Sequence, residues 1–458
     1  MAIDKLGLEF TASLPETVDA FNGAMDDYMV FAGEPVGHML AAAEVDPDFA
    51  MGYCLTGCLR LFGGVSAAHP RVNLELRAAR ARRARVTARE QTHIDAFEMA
   101  AGGEIGQAGA MWDAILAEHP LDMMAAKCAH ECYYLVGESG RMKTSVMNIL
   151  PAWNESVPYY GFLLGMGAFG LEEAGDYRDA EEMGRRAYAI EPRDCWAVHA
   201  VAHVMQMEGR CQDGIRWLDE TVDDWQGAVW LQGHLWWHQC LPLIDDGQFG
   251  RVLEIFDRHI SHCDKDMVTR LMDCTSVLWR LELKGVDFGT RWDSLVDLWM
   301  HHVDEHALAF TDAHLAMTLA AAGGEKKLRR FLESQHAYIE GSDSSVAAIV
   351  ERIGRDLCQG MIEFQRGDYV QAANRIYPIR DEIWRIGGSN AQRDVFLLTL
   401  MAALIRAGRH EEARAVLASA AADVPTPSLL LYYGDALDGL GEAQRAEAVR
   451  AQARQLVQ

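Results

Sequence analysis

The chain is short of positive charge, of proline and of strand-like alternation, and each shortage removes a class of fold or function. Lysine and arginine number 42 against 67 acidic residues, a formal net charge of -25 over 458 residues. Such a surface repels nucleic-acid phosphate and anionic lipid head groups, so the composition argues against nucleic acid and membrane as partners. The only basic run, Arg77 to Arg85, is short and reads as a solvated helix face. Prolines number 12, mostly at helix starts or ends, and alternating apolar and polar residues are scarce, so nearly all ordered structure is expected to be helical.

Chemical signatures are missing as well. No CxxC occurs and no Cys/His spacing matches a structural zinc site, so the ten cysteines, including Cys54/Cys58 and Cys128/Cys132, are expected to be free and mostly buried thiols. The opening MAIDKLGLEF has no basic start and no long apolar run, and no later stretch approaches bilayer-spanning length. A reducing cytoplasm is the expected location. No G-x-S-x-G, Walker A loop, dinucleotide fingerprint or EF-hand loop appears, which leaves serine-hydrolase, nucleotide and calcium readings without support.

What the chain does have is a repeat. Ala168, Gly175 and Ala180 recur as Ala202, Gly209 and Gly214, each 34 residues on, which is the tetratricopeptide period. Ala187 and Pro192 complete the first unit, with Gly175-Asp-Tyr177 as the turn between its helices. The register returns at Ala96, Gly103, Ala108 and Pro120, at Gly360, Gly367 and Ala372, at Gly408, Ala413, Ala420 and Pro425, and at Gly434, Gly441 and Ala446. Spacing lengthens from Gly209 to Gly247 and from Gly367 to Gly408, so the repeats are irregular. The expected fold is all-α, a tetratricopeptide-type helical-repeat solenoid running as one continuous domain over 1–458. The clearest repeats lie at about 89–122, 161–228, 233–260, 353–386 and 394–458. Residues 255–350 are the least repeat-like, yet keep helical periodicity in Ser276–Leu281 and Ala313–Leu319.

Four histidines fall in two helical pairs, His199/His203 and His234/His238. Residues four apart share a helix face, so each pair can converge on one ligand, metal or proton. In repeats of this type the first helix of each unit lines the concave surface. That register places Trp196, His199, His203 and Gln206 on one groove-facing helix and His234, Trp237 and His238 on the next. The patch suits a planar, cationic or carboxylate-bearing small molecule. Satisfied core histidines are the plainer alternative. His-x-x-x-His is also a zinc geometry, making His199, His203, His234 and His238 candidate ligands for a divalent metal, although Ala200 stands where a HExxH protease carries its glutamate. The nearest acidic candidates are Asp194, Glu208 and Asp219.

Two further motifs carry polar groups. In Phe310-Thr-Asp-Ala-His314, Asp312 is placed to cap a helix or to orient an imidazole. In Gly387-Gly-Ser-Asn-Ala-Gln-Arg-Asp-Val-Phe396, Ser389 and Gln392 have capping-box spacing, while Asn390, Arg393 and Asp394 exceed what a cap needs. The 21 methionines read as gap-filling core.

These segments, with Asp194–His203, His234–His238 and Leu281–Trp292, resemble a bacterial member of the tetratricopeptide repeat protein 38 family, and the likeness spans nearly the whole chain. It implies an α-helical repeat fold and makes the histidine, aspartate and Asn-Gln-Arg-Asp positions family features; it supplies no activity. Gln206 stands where the family pattern can place a glutamate. Three functions stay open. The first is a groove binding a small polar molecule or short peptide through Trp196, His199, His203, His234, Trp237, His238, His314, Asn390, Gln392 and Arg393. The second is an enzyme, with His203 or His238 as base and Asp312 or Asp394 as its carboxylate partner. The third is a protein-interaction scaffold. Were the array tightly curled, the C-terminal motif would reach the central histidines and bring Arg393 to a carboxylate or phosphate. Oligomeric state is not readable from the sequence.

Overall fold

The 34-residue recurrence of Gly175 and Gly209 is the recurrence of one helix stop. Gly175 sits at φ 86° and donates to the Glu172 carbonyl at 2.8 Å, while Asp176 N–H reaches the Leu171 carbonyl at 2.9 Å. Gly209, at φ 67°, repeats the pattern, with bonds to Gln206 (3.1 Å) and from Arg210 to Met205 (2.8 Å). This left-handed cap satisfies the last orphan carbonyls, and a Cβ would strain it. At Gly209 a Cβ would also meet the Pro425 carbonyl oxygen at 2.8 Å.

In the computed structural model, the described residues are 2–67, 69–423 and 425–457; side chains of 419–423 lie outside the description, that of the register residue Ala420 among them. The fold is all-α and helical-repeat, with a short antiparallel pairing of Ala2–Ile3 and Glu9–Phe10. Contacts divide the chain into two compact units. One gathers the chain up to Val201 with Asp223–Gln232 and Asp343–Ala347. The other gathers Ala202–Val222, Gly233–Ser342 and the chain from Ala348 onward.

In the first unit, helices pair in sequence order: Ala88–Ala101 with Ile105–Glu118, Met123–Leu135 with Ser139–Ile149, and Tyr160–Glu173 with Tyr177–Ile190. Small residues explain the closeness of the last pair. Tyr177–Ile190 buries Ala180, Gly184 and Ala187 along one stripe, and a Cβ on Gly184 would lie 3.4 Å from the Ala168 Cβ of the partner helix. The basic run behaves as a solvated face. Arg80, Arg83 and Arg85 pair with Glu98 (2.8 Å), Asp95 (2.5 Å) and Asp48 (3.1 Å), solvent-screened bridges that add little to stability.

Two buried carboxylates in this unit behave oppositely. Asp122 accepts from Arg89 at 2.5 Å, His93 at 3.0 Å and the Ala125 N–H at 2.9 Å. Burial raises its pKa, but these partners outweigh burial and hold the carboxyl well below the usual range. Asp194 receives the Trp196 N–H on Oδ1 (3.1 Å), and its Oδ2 has no hydrogen-bond partner among the described residues. Burial pushes it up to about 8 against the opposing pull of the Ala197 and Trp196 N–H groups and of Lys127. Between about pH 4, where an unfolded aspartate ionises, and about pH 8 the folded state therefore holds the extra proton. The stabilisation is complete below this window and disappears as pH rises through it. Asp194→Asn should thus gain stability relative to the parent from pH 5 to 8, with no further gain above; thermal unfolding across pH checks this, and a pH-independent difference would refute it.

The second unit explains why residues 255–350 look least repeat-like. Its helices there are interrupted by wider π-type turns at Phe256–Ile260, Leu319–Gly323 and Val350–Gly354, each adding residues that a 34-residue register cannot absorb. Long helices frame the core: Gln232–Asp245, Val268–Leu283 and Asn390–Arg406, the latter two joined by the Trp279 indole donating to Thr399 Oγ1 at 2.9 Å. The ten cysteines are free thiols, and all but Cys263 are buried. Among the described residues no helix is long and apolar enough to cross a membrane.

Candidate functional site

The Gln232–Asp245 helix carries His234 and His238 one turn apart, and the Cys195–Met207 helix brings His203 against them. The His203 and His238 rings lie 4.4 Å apart, and the Nε2 atoms of His234 and His238 are separated by 3.2 Å. Behind His234, Asp273 on the Val268–Leu283 helix meets Nδ1 at 2.8 Å. The Trp237 ring stacks on His234 at 5.0 Å, and its indole N–H donates to Ser276 at 3.1 Å. All belong to the second unit.

Burial corrects the groove-facing expectation. Relative exposure is 0% for His203, 6% for His234, 0% for Trp237 and 3% for His238, so these side chains are enclosed by the repeat core. The acidic partner also differs. Asp219 is held by Gln239 and Arg251, Glu208 pairs with Arg210, and Asp194 caps its own helix, whereas Asp273, 39 residues beyond His234, brings a carboxylate to His234. No local spacing signals it.

Trp196 and His199 sit in the first unit, with His199 one turn before His203 on the same helix. Trp196 stacks on His199 (4.6 Å) and Phe31 (5.6 Å), donates to His130 Nε2 (3.3 Å) and lies 4.9 Å from the Lys127 ammonium. Lys127 is itself buried and paired with Glu131 at 2.5 Å. The aromatic patch is thus filled by a lysine of the chain.

A second polar group starts one turn beyond Ser276. Arg280 donates to Ser276 Oγ (2.5 Å) and the Ala391 carbonyl (3.0 Å) and pairs with Asp394, while its guanidinium lies 5.5 Å from the Trp237 ring. Lys284 donates to Ser428 at 2.8 Å, and Ser428 donates to Asp245. Burial lowers the pKa of Arg280 and Lys284 and raises that of Asp245; it pushes Asp394 up to about 6 despite the Arg280 charge. Asp394 has 27% of its side chain exposed. It lines a cavity of about 340 Å³, with an apolar wall that includes Ile383, Trp384 and Leu397 and a polar edge of Gln206, Asn390, Thr426 and the cations Arg380 and Arg393. Gln206 also borders a small space of about 20 Å³ at Arg280 and Lys284 and one of about 10 Å³ at His238. It is the common wall of the three.

The remaining predicted residues divide. The capping box of Ser389 and Gln392 forms, and Arg393 holds the Gly388 carbonyl and Asn390 (2.6 Å to Oδ1). The C-terminal motif does reach the helix beside the histidines, but through Asp394 on Arg280 rather than through Arg393. Asp312 is not a cap, since the Ala309–Thr318 helix starts after Leu308; it orients an imidazole, that of His306 at 2.9 Å, with Gln335 as second donor at 2.9 Å. His314 instead bonds the Phe310 carbonyl at 2.9 Å, and burial pushes its pKa down to about 4. No motif marks Arg280, Asp245 or Lys284 as site residues; charges at 280 and 284 between apolar helix positions are the only local signal.

No family model matches the chain. Among solved structures it is similar to a human IFIT1 dimer with PPP-AAAA, at 14% identity over 98% of this chain and 96% of that one, TM-score 0.42. It is similar also to the P58(IPK) TPR domain, at 11% identity over 81% of this chain and 98% of that one, TM-score 0.22.

Proposed function

We propose that this chain is a helical-repeat binding protein whose ligand pocket is the cavity beside Asp394, and that it takes a small polar molecule with an apolar body, or the side chain of a short peptide. The observation that carries this reading is the pairing of an apolar wall with a few convergent polar groups in a volume of about 340 Å³, inside the ordinary small-ligand range of about 300–1,000 Å³. Trp384 and its aliphatic neighbours would cover the body; Gln206, Asn390 and Asp394 would hold a hydroxyl or amine. The histidines then form a buried layer beside the pocket, and likeness to the tetratricopeptide repeat protein 38 family and a cytoplasmic location belong to the same proposal.

The test is a metabolite and peptide screen by native mass spectrometry and thermal shift on the full chain. A true ligand at a hundredfold excess over its Kd should stabilise the protein by about 2.7 kcal/mol. Leu397→Trp, which fills the cavity, should abolish that shift while keeping the helical spectrum. Equal binding by the variant would overturn the assignment. A second reading, acid–base chemistry in the same cavity, rests on Asp394 lining it, with a carboxyl that burial pushes up to about 6. It predicts turnover by the parent that Asp394→Asn abolishes.

A further inference from the structure

The layer of buried imidazoles in the second unit has a chemistry of its own. Nitrogen atoms of His203, His234 and His238 can be chosen that all lie within 4.8 Å of one another. The Nε2 atoms of His234 and His238 stand 3.2 Å apart. A tetrahedral ion with metal–nitrogen bonds of about 2.0–2.1 Å sets its ligand atoms roughly 3.3 Å apart. The separation already present therefore matches that of two ligands on one ion. His234 Nδ1–H donates a hydrogen bond to Asp273 at 2.8 Å, which fixes the tautomer and turns the Nε2 lone pair toward its neighbours. Trp237, stacked parallel to His234 at 5.0 Å, holds the ring plane.

We propose that His203, His234 and His238 bind a divalent transition-metal ion of the zinc class, with Asp273 as the positioning carboxylate behind His234. Neutral imidazoles in a desolvated setting select zinc, cobalt, nickel or copper over magnesium and calcium, which want oxygen. The site is distinct from the Asp394 cavity, so either assignment can fail alone. The competing possibility is a metal-free hydrogen bond in which one of the two facing Nε2 atoms donates to the other.

The experiment uses the full chain, stripped with chelator and dialysed, then titrated with Zn2+ and separately with Co2+. One equivalent of saturable uptake is expected, with the visible absorption of tetrahedral Co2+ and nitrogen scatterers at about 2.0–2.1 Å in X-ray absorption of the zinc form. His238→Gln should weaken affinity by more than about 100-fold and Asp273→Asn by about 10–100-fold. A folded parent that takes up neither ion would overturn the proposal, as would uptake unchanged in both variants. Should His238→Gln fail to fold, the parent's absorption spectrum and Asp273→Asn still decide.

Discussion

Replacing Arg280 with methionine is expected to destabilise the second unit by about 1–3 kcal/mol, the range for leaving hydrogen-bonding groups without their donor. Methionine keeps the apolar stem but removes the donors to Asp394, the Ala391 carbonyl and Ser276, all on or against the Val268–Leu283 helix. The loss comes less from missing attraction than from the carboxylate and carbonyl left without partners. Its pH dependence has a definite sign. Asp394 is already pushed up to about 6, and without the guanidinium it rises further, so a proton can neutralise it on the acid side. The variant's deficit should therefore be smaller at pH 5 than at pH 8. Adding Asp394→Leu should restore much of the stability at pH 8, because the orphaned charge is gone. Hydrogen exchange of amides in Val268–Leu283 and Asn390–Arg406 is the suitable measurement, since two compact units need not unfold together. A deficit under 1 kcal/mol at pH 8 would mean that water reaches the pair and screens it.

In the first unit the comparable experiment is Asp122→Ala, with an expected loss of about 3–5 kcal/mol. One carboxylate satisfies Arg89, His93 and the first turn of the Met123–Leu135 helix. The Trp112 indole donates to His93 Nδ1 at 3.1 Å, so His93 must present its Nε2–H to Asp122, and truncation strands the whole relay. The pH sign is the reverse of that at Asp194. The Asp122 pKa is held down, so its stabilisation is present above the unfolded value of about 3.9 and is lost as pH falls through the folded one. The gap between parent and Asp122→Ala should stay constant near neutrality and close below about pH 4. Asp122→Asn, which keeps the cap and removes the charge, should fall between the two. Denaturant unfolding at pH 7 and pH 3 provides the comparison, and a gap that widens on acidification would contradict the ionised-carboxylate reading.

The sequence alone determined what depends on short separations. A glycine every 34 residues encodes a left-handed helix stop, because only glycine takes that conformation without strain, and so Gly175 and Gly209 announce the repeat. The four-residue spacing of His234 and His238 places both rings on one face for the same local reason. Ser389 and Gln392 form their capping box within a single turn. What tertiary structure decided was every partnership across helices. Asp273 meets His234 across 39 residues and Asp394 meets Arg280 across 114, distances over which periodicity carries no register once π-type turns have added residues between repeats. Whether a helix face is groove or core was settled in the same way. The stripe bearing Trp237 and His238 looks identical in sequence whether solvent or another helix covers it, and here packing of neighbouring helices buries it. Asp312 shows the limit most plainly: its carboxylate was legible as an imidazole partner, but the imidazole is that of His306, reached by a turn at positive φ before the helix begins.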